Sequence, residues 1–443
     1  MKDLDLMLRL MLQLAVILIA CRGIGWFGQK YLGQTQVVME MLAGVMLGPS
    51  LLGANWAAPK LQQWLFPKFM TVDGHQVGHP AMSILYCLSQ LGLVFYMFLI
   101  GLEFDAGLLR DGAKSALRVS LAGIIAPFVL GALIGLRLAG NSTFFGPGVS
   151  SLNGALYMGA AMCITAFPML ARILFEQGIA KTKMGVLALA SGASNDVVAW
   201  IMLAVVIAVN KAYPKYAVFA IGGGSLFALA MITVGRRSLK YLGDRVERDG
   251  KLTSATFLAT MICLMLSAWF TDFIGVYAVF GAFLLGIAMP RGLFAERIRE
   301  QLELPITGLF LPLFFVFSGL NTKISLVNTP YLWSVTILVC LAAILGKGLA
   351  CALAARISGE RWRESWAIGA LMNARGLMEL ILLNIAKEAN VITPTLYTIL
   401  VIMAIVTTLM ASPLYRWIYG SAKVAVPNGS SVVAAGRKVQ SLG

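Results

Sequence analysis

Charge is scarce in this chain. Of 443 residues, 12% are Asp, Glu, Lys or Arg, with 20 acids against 35 bases, and 59% are hydrophobic. Such a composition excludes a soluble globular domain and places the chain among polytopic membrane proteins. Histidine is nearly missing: His75 and His79 are the only two, both in the loop after the second apolar stretch. They read as solvated loop residues, with sensing of external pH as the alternative. With no HExxH, no nucleophile elbow and no histidine cluster in an apolar run, an enzyme is not expected. The six cysteines (Cys21, Cys87, Cys163, Cys263, Cys340 and Cys351) all fall in apolar segments and lack metal-ligand spacing. They are read as small packing residues, so no disulfide framework and no cofactor is implied. The net charge of +15 is spread over short loops and forms no stripe, so no nucleic-acid partner is expected. The first apolar run has full span length and no small-residue cleavage site, so a cleaved signal peptide is not expected.

What is present is a series of thirteen candidate spans. They lie at 6–27, 37–53, 82–102, 116–138, 152–174, 184–209, 216–234, 252–271, 274–290, 304–320, 332–354, 365–386 and 394–418. Arg9, Lys347 and Arg375 are counted inside spans. With Arg22, Arg118, Arg137, Arg172 and Arg416, near span ends, counted with the adjoining loops, 24 of the other bases collect on the face holding the C-terminus and 8 on the opposite face. The positive-inside rule then puts the C-terminus in the cytoplasm and the N-terminus outside. A weak repeat runs through the chain. Leu42–Gly48 (LAGVMLG) resembles Phe280–Gly286 (FGAFLLG), and Gly101-Leu102-Glu103 resembles Gly319-Leu320-Asn321. Both matches are seven spans apart, so the paired elements run in opposite directions. The expected architecture is an all-α polytopic membrane protein with an inverted-topology repeat of six plus one plus six spans.

Inverted-repeat transporters bind their ions near the midplane, where helices are interrupted. Span 5 holds Cys163-Ile164-Thr165-Ala166-Phe167-Pro168, in which Pro168 is read as freeing the Ile164 carbonyl beside the Thr165 hydroxyl. Its repeat mate, span 12, reads Met372-Asn373-Ala374-Arg375-Gly376-Leu377-Met378-Glu379, with Gly376 as its weak point. Arg375 and Glu379 are four apart and able to pair on one helix face. Neutralising half-helix dipole ends is a structural role open to these charges. In span 6, Asp196 follows Asn195 midway along an otherwise apolar stretch. A charge there costs roughly 2.5–3.5 kcal/mol on insertion scales, so a functional use is expected. Lys347 in span 11 is too deep to reach either surface, and Asp196 is its expected partner.

With these residues in view, the chain resembles the second monovalent cation/proton antiporter family, and most nearly the transmembrane part of the plant exchangers. The matching stretches are Glu40–Gly53, Phe98–Asp105 (FLIGLEFD), Ile164–Leu174 (ITAFPMLARIL), Ser194–Trp200 (SNDVVAW), Thr271–Pro290, Leu311–Thr322 and Leu371–Asn384. The resemblance implies two crossed, discontinuous helices (spans 5 and 12) beside the ion-binding span 6, a dimerisation domain, a homodimer and an elevator-like core movement. By resemblance, Asp196 is the ion- and proton-carrying aspartate and Asn195 its neighbour, which is Asp in some branches. Thr165 and Glu379 match polar groups near the crossover, and Lys347 matches the basic residue facing the site. The implied division is 1–115 (dimerisation-type helices), 116–215 (transport core), 216–251 (linker helix and basic loop), 252–325 (dimerisation-type), 326–418 (core) and 419–443 (tail). Related potassium efflux systems carry a nucleotide-binding domain and the plant exchangers a long soluble tail. Here about 25 residues follow Ile418, so such regulation is expected only from a separate subunit. Asn321 stands where many plant members have a basic residue, with Lys323 two positions on.

The expected activity is exchange of Na⁺ or K⁺ for protons. Cation and proton would compete for Asp196, with Thr165, Asn195 and freed carbonyls as neutral ligands. If Lys347 keeps its charge, exchange is electroneutral, one for one; if it sheds a proton on ion binding, exchange is two protons per cation. The alternatives are a potassium efflux channel-like system lacking its regulatory domain and a symporter of similar fold. A bacterial inner membrane is the expected location, with membrane lipid as surroundings.

Overall fold

The computed structural model describes residues 3–420, apart from 33, 35, 55–56, 73–74, 104–107, 181, 212–213, 322, 377–378, 380–381, 384–385 and 388–389. The tail assigned to 419–443 therefore lies almost wholly outside the described residues. The elements are helical, as the apolar runs require. In order they are α1 (Asp3–Phe27), α2 (Gln36–Leu47), α3 (Pro59–Leu65), α4 (Pro80–Glu103), α5 (Leu108–Leu138), α6 (Ser151–Cys163), α7 (Phe167–Glu176), α8 (Lys183–Lys211) and α9 (Pro214–Ala230). There follow α10 (Arg236–Asp249), α11 (Ser254–Phe273), α12 (Ala278–Ala288), α13 (Leu293–Pro305), α14 (Leu311–Leu320), α15 (Pro330–Ile344), α16 (Ala350–Ile357), α17 (Trp362–Met372) and α18 (Pro394–Tyr419).

Helix starts follow the sequence. The side chains of Ser150, Thr253, Thr329 and Thr393 accept the exposed amides of α6, α11, α15 and α18, and Pro330 and Pro394 occupy the first helical turn. Among the described residues, seven helices are long and apolar enough to cross a membrane. α6, α7 and α17 are too short individually, because spans 5 and 12 are interrupted. Wider π turns at Gly28–Leu32, Met231–Gly235, Ile306–Phe310 and Leu345–Leu349 adjoin the α-helices; the last of these contains Lys347.

One element departs from the all-helical expectation. The connection between α3 and α4 holds an antiparallel hairpin, β1 (Phe69–Val72) with β2 (His75–Gly78), pairing Phe69 with Gly78 and Val72 with His75. The intervening Asp73-Gly74 is the dipeptide that two-residue hairpin loops favour. His79, expected to be solvated, is buried; its Nδ1 accepts the Ala81 amide at 3.2 Å at the start of α4.

Among the helix pairs that pack through glycine, two join the repeat-matched segments. A Cβ on Gly101 of α4 would lie 2.4 Å from the Phe283 carbonyl of α12, and one on Gly286 would lie 2.4 Å from that of Phe98. A Cβ on Gly319 of α14 would likewise meet the Gly44 backbone of α2 at 2.3 Å. Only glycine permits such approach. These are the repeat-matched segments of the sequence, and α2 packs on α14 as α4 packs on α12.

Candidate functional site

The interruption of span 5 is at 164–166. α6 ends at Cys163, Ile164 is extended (φ −64°, ψ 137°), and Ala166 (φ −91°, ψ 92°) leads into α7. Pro168 sits in the first turn of α7, where a missing N–H breaks no hydrogen bond. It therefore starts a second half-helix rather than kinking a continuous one. The Ile164 carbonyl is outside the α6 ladder because α6 has already ended, not because Pro168 displaces it. On the other side α17 ends at Met372, and residues 374–376 are non-helical. The two interruptions touch: the Ala166 amide donates to the Ala374 carbonyl at 3.2 Å. The Thr408 hydroxyl of α18 lies 2.9 Å from the Arg375 nitrogen, whose proton it accepts, and 2.8 Å from the Arg375 carbonyl. Asn373 folds back onto its own helix, donating to the Gly369 carbonyl at 3.0 Å. Gly376 has room for a Cβ, 3.4 Å from that of Ala166, so crowding does not dictate glycine there.

An α-helix leaves its last four carbonyls unpaired, at the negative end of its dipole. Three of those four carbonyls of α6, and that of Ile164 just beyond it, are taken by two buried cations. Arg375 donates to Met162 at 2.6 Å, Ala161 at 3.2 Å and Ile164 at 3.4 Å, and the Lys347 ammonium donates to the Cys163 carbonyl. The expected partner of Lys347, Asp196, is not its hydrogen-bond partner, and the described residues contain no ion pair between them. The exposed end of α6 takes the ammonium instead. Arg375 also meets Glu379 at 3.7 Å, although Arg375 itself lies outside any helix. Both residues are fully buried, and among the described residues neither Glu379 oxygen accepts a hydrogen bond.

Asp196 projects from α8 toward the other half-helix. The amide of Phe167, the first residue of α7, donates to its Oδ1 at 3.3 Å. Asp196 thus stands at the positive dipole end of a half-helix, an arrangement that favours an anion. Asn195 points elsewhere. Its amide lies 2.5 Å from the Ser120 hydroxyl of α5 and 2.9 Å from the Thr165 hydroxyl. With its nitrogen toward Ser120, it also donates to the Ser120 and Ser191 carbonyls at 3.2 and 3.3 Å, and its oxygen accepts from Thr165. Asn195 is thereby a tie between α5, α8 and the crossover. Ser120, Ser191 and Thr408 are parts of the site that sequence reasoning missed. A lone hydroxyl in an apolar span carries no pattern that separates such a tie from ordinary packing.

Asp196, Asn195, Thr165, Lys347, Arg375 and Asn373 are thus gathered at one pair of helix breaks, with Glu379 beside Arg375. The ionised charges cancel: two cations and two carboxylates. Fold and site together define a multi-pass helical membrane protein with a buried carboxylate at a discontinuous helix. The sodium/hydrogen exchanger transmembrane family matches residues 14–418, and the chain belongs to that family. The Na⁺/H⁺ antiporter NhaS4 of Synechocystis is 38% identical over 424 residues, 94% of this chain and 98% of that protein. Cation/H⁺ antiporter 17 of Arabidopsis thaliana is 36% identical over 417 residues, 94% of this chain; the chain spans about half the length of that relative, 49%. The sodium proton antiporter MjNhaP1 of Methanocaldococcus jannaschii shares the fold, with a TM-score of 0.61 at 18% identity, over 93% of this chain and 98% of that one.

Proposed function

We propose that this chain exchanges a monovalent cation, Na⁺ or K⁺, for protons across the membrane, with cation and proton competing for Asp196. The observation that carries this reading is the placement of Asp196. It is a buried carboxylate at a half-helix N-terminus, and the nearby cations are engaged on the carbonyls of α6. The names of the relatives, Na⁺/H⁺ and cation/H⁺ antiporters, point the same way.

Charge counting gives the stoichiometry. With Lys347, Arg375 and Glu379 ionised, the site carries one net positive charge whether Asp196 holds a proton or a monovalent cation. Both crossings then move the same charge, and exchange is electroneutral, one for one. Thr165 can still offer a lone pair to the ion, whereas Asn195 acts by holding Thr165 and α8 in place.

We assign 116–215 and 326–418 to a core that moves, elevator-like, against 1–115 and 252–325, with 216–251 as linker. The glycine-locked pairs α2–α14 and α4–α12 support the inverted repeat, because each partner of one pair is the repeat mate of a partner in the other. The loop charges support an outside N-terminus and a cytoplasmic C-terminus in a bacterial inner membrane. The exposed apolar side chains of α1, among them Leu4, Met7, Leu8 and Met11, offer a surface for lipid or a second copy. The test is proteoliposomes loaded with a pH dye and challenged with Na⁺, K⁺, Li⁺ or Rb⁺. Cation-driven proton movement without a transport current supports the reading; a reproducible current under a cation gradient overturns the one-for-one stoichiometry.

A further inference from the structure

The connection between α1 and α2 reaches across to helices assigned to the moving core. Gln34 is buried, and its Nε2 donates to the Leu409 carbonyl of α18 at 2.6 Å. Two residues on, the amide of Gln36, the first residue of α2, donates to Oε2 of Glu176 on α7 at 2.9 Å. The other oxygen of Glu176 holds Nε of Arg172 at 2.6 Å. The Gln36 side chain donates to Oε1 of the buried Glu40 at 3.0 Å.

Glu176 is therefore a carboxylate at the N-terminus of a helix to which it does not belong. It satisfies an amide that the first turn of α2 leaves open, at the positive end of that helix. Gln34 does the reverse, donating to a carbonyl of α18. Residues 34–40 fall within the segment assigned to the static part, and α7 and α18 within the core. At the opposite face the two parts are joined by the Thr398 hydroxyl donating to the Lys323 carbonyl at 3.4 Å, a longer contact without charge.

We propose that Gln34, Gln36 and Glu176, braced by Arg172 and Glu40, form a latch that closes the cytoplasmic side of the core against α2 and must open in each transport cycle. A core that slides past α2 cannot keep both contacts, since they fix α7 and α18 to one short segment. A small cavity of about 60 Å³ beside the latch is lined by Tyr96, Glu103, Arg172, Arg299 and Glu303. Glu103 and Glu303 there are both paired with Arg299, at 2.8 and 2.9 Å, so among the described residues Glu176 is the carboxylate that holds Arg172. The inference rests on the proposed function above in two respects, the identity of the moving part and the membrane orientation.

The experiment is hydrogen–deuterium exchange by mass spectrometry on the full chain in nanodiscs, in Na⁺, K⁺ or choline, combined with two-sided flux in proteoliposomes. Glu176→Ala is expected to raise exchange in 36–40 and 167–177 at least fivefold and to lower the half-saturating cytoplasmic cation concentration several-fold. Glu176→Gln, which still accepts the Gln36 amide, should stay near wild type in exchange. Gln34→Leu, a second and milder lesion, should raise exchange in 405–412. The latch is overturned if Glu176→Ala leaves both segments within twofold of wild type, or if it loosens them while cytoplasmic cation dependence stays unchanged. Wild-type protein without any cation-driven flux would instead overturn the exchange function; the exchange of 36–40 in Glu176→Ala would still decide the contact itself.

Discussion

Replacing Arg375 with Met should expose how the crossover is held together. The guanidinium satisfies carbonyls of Ala161, Met162 and Ile164 and stands 3.7 Å from Glu379, with both side chains fully buried. Hydrogen bonds between membrane helices average roughly 0.6 kcal/mol, and those to charged groups run higher, so the carbonyl contacts together contribute about 2 kcal/mol. Removing one member of a buried ion pair leaves the other uncompensated, and such lesions cost roughly 3–5 kcal/mol in all. Arg375→Met is therefore expected to lose about 3–5 kcal/mol. Adding Glu379→Gln removes the stranded charge and should recover about 1–3 kcal/mol of that loss. The assay is equilibrium unfolding in mixed micelles by SDS titration, read as a double-mutant cycle. The reasoning is refuted if the single variant loses less than about 1 kcal/mol, or if the double variant is no more stable than Arg375→Met.

Three other outcomes follow from the same geometry. Asn195→Ala strands the Thr165 and Ser120 hydroxyls, and should cost about 1–3 kcal/mol in the same titration while weakening cation affinity. Gly101→Ala or Gly286→Ala forces a Cβ to 2.4 Å from a carbonyl oxygen across the α4–α12 contact, and should cost about 1–3 kcal/mol, read as a lowered melting temperature in detergent. Burial, with Arg9 nearby, holds the His79 imidazole below its ordinary value, and the neutral ring accepts the Ala81 amide. That stabilisation is complete above about pH 6.5 and is lost as pH falls below it, because the unfolded loop takes up a proton first. Protection factors across 69–82, corrected for the intrinsic exchange rate at each pH, should accordingly fall between pH 7.5 and 5.5, and His79→Ala should remove that fall.

The site was legible in the sequence wherever a polar residue broke an apolar run. Asp196, Lys347, Arg375 and Glu379 stood out by the cost of burying them, and the interruptions at 164–166 and 373–376 by Pro168, Asn373 and Gly376 nearby. Which charge meets which group was not legible. Lys347 and Asp196 looked like partners because opposite charges attract, but a half-helix ends in unpaired carbonyls that draw cations just as surely. Asn195 looked like a ligand because it adjoins Asp196, although successive helix residues point 100° apart and its amide turns to Ser120 and Thr165. The hairpin at 69–78 was overlooked despite Asp73-Gly74, since strand patterning over four residues is faint beside apolar helices. The charged α10 and α13 carry no span signal, so apolar patterning does not distinguish them from loop.

The central claim is that one carboxylate, Asp196, takes either a cation or a proton. The most direct measurement is equilibrium binding of Na⁺ and K⁺ to purified protein across a pH series, for wild type and Asp196→Asn. Apparent affinity should fall up to tenfold for each pH unit on the acid side of the Asp196 titration, with one proton released per cation bound, and Asp196→Asn should bind neither ion. Cation binding that ignores pH, or that survives in Asp196→Asn, would contradict the account.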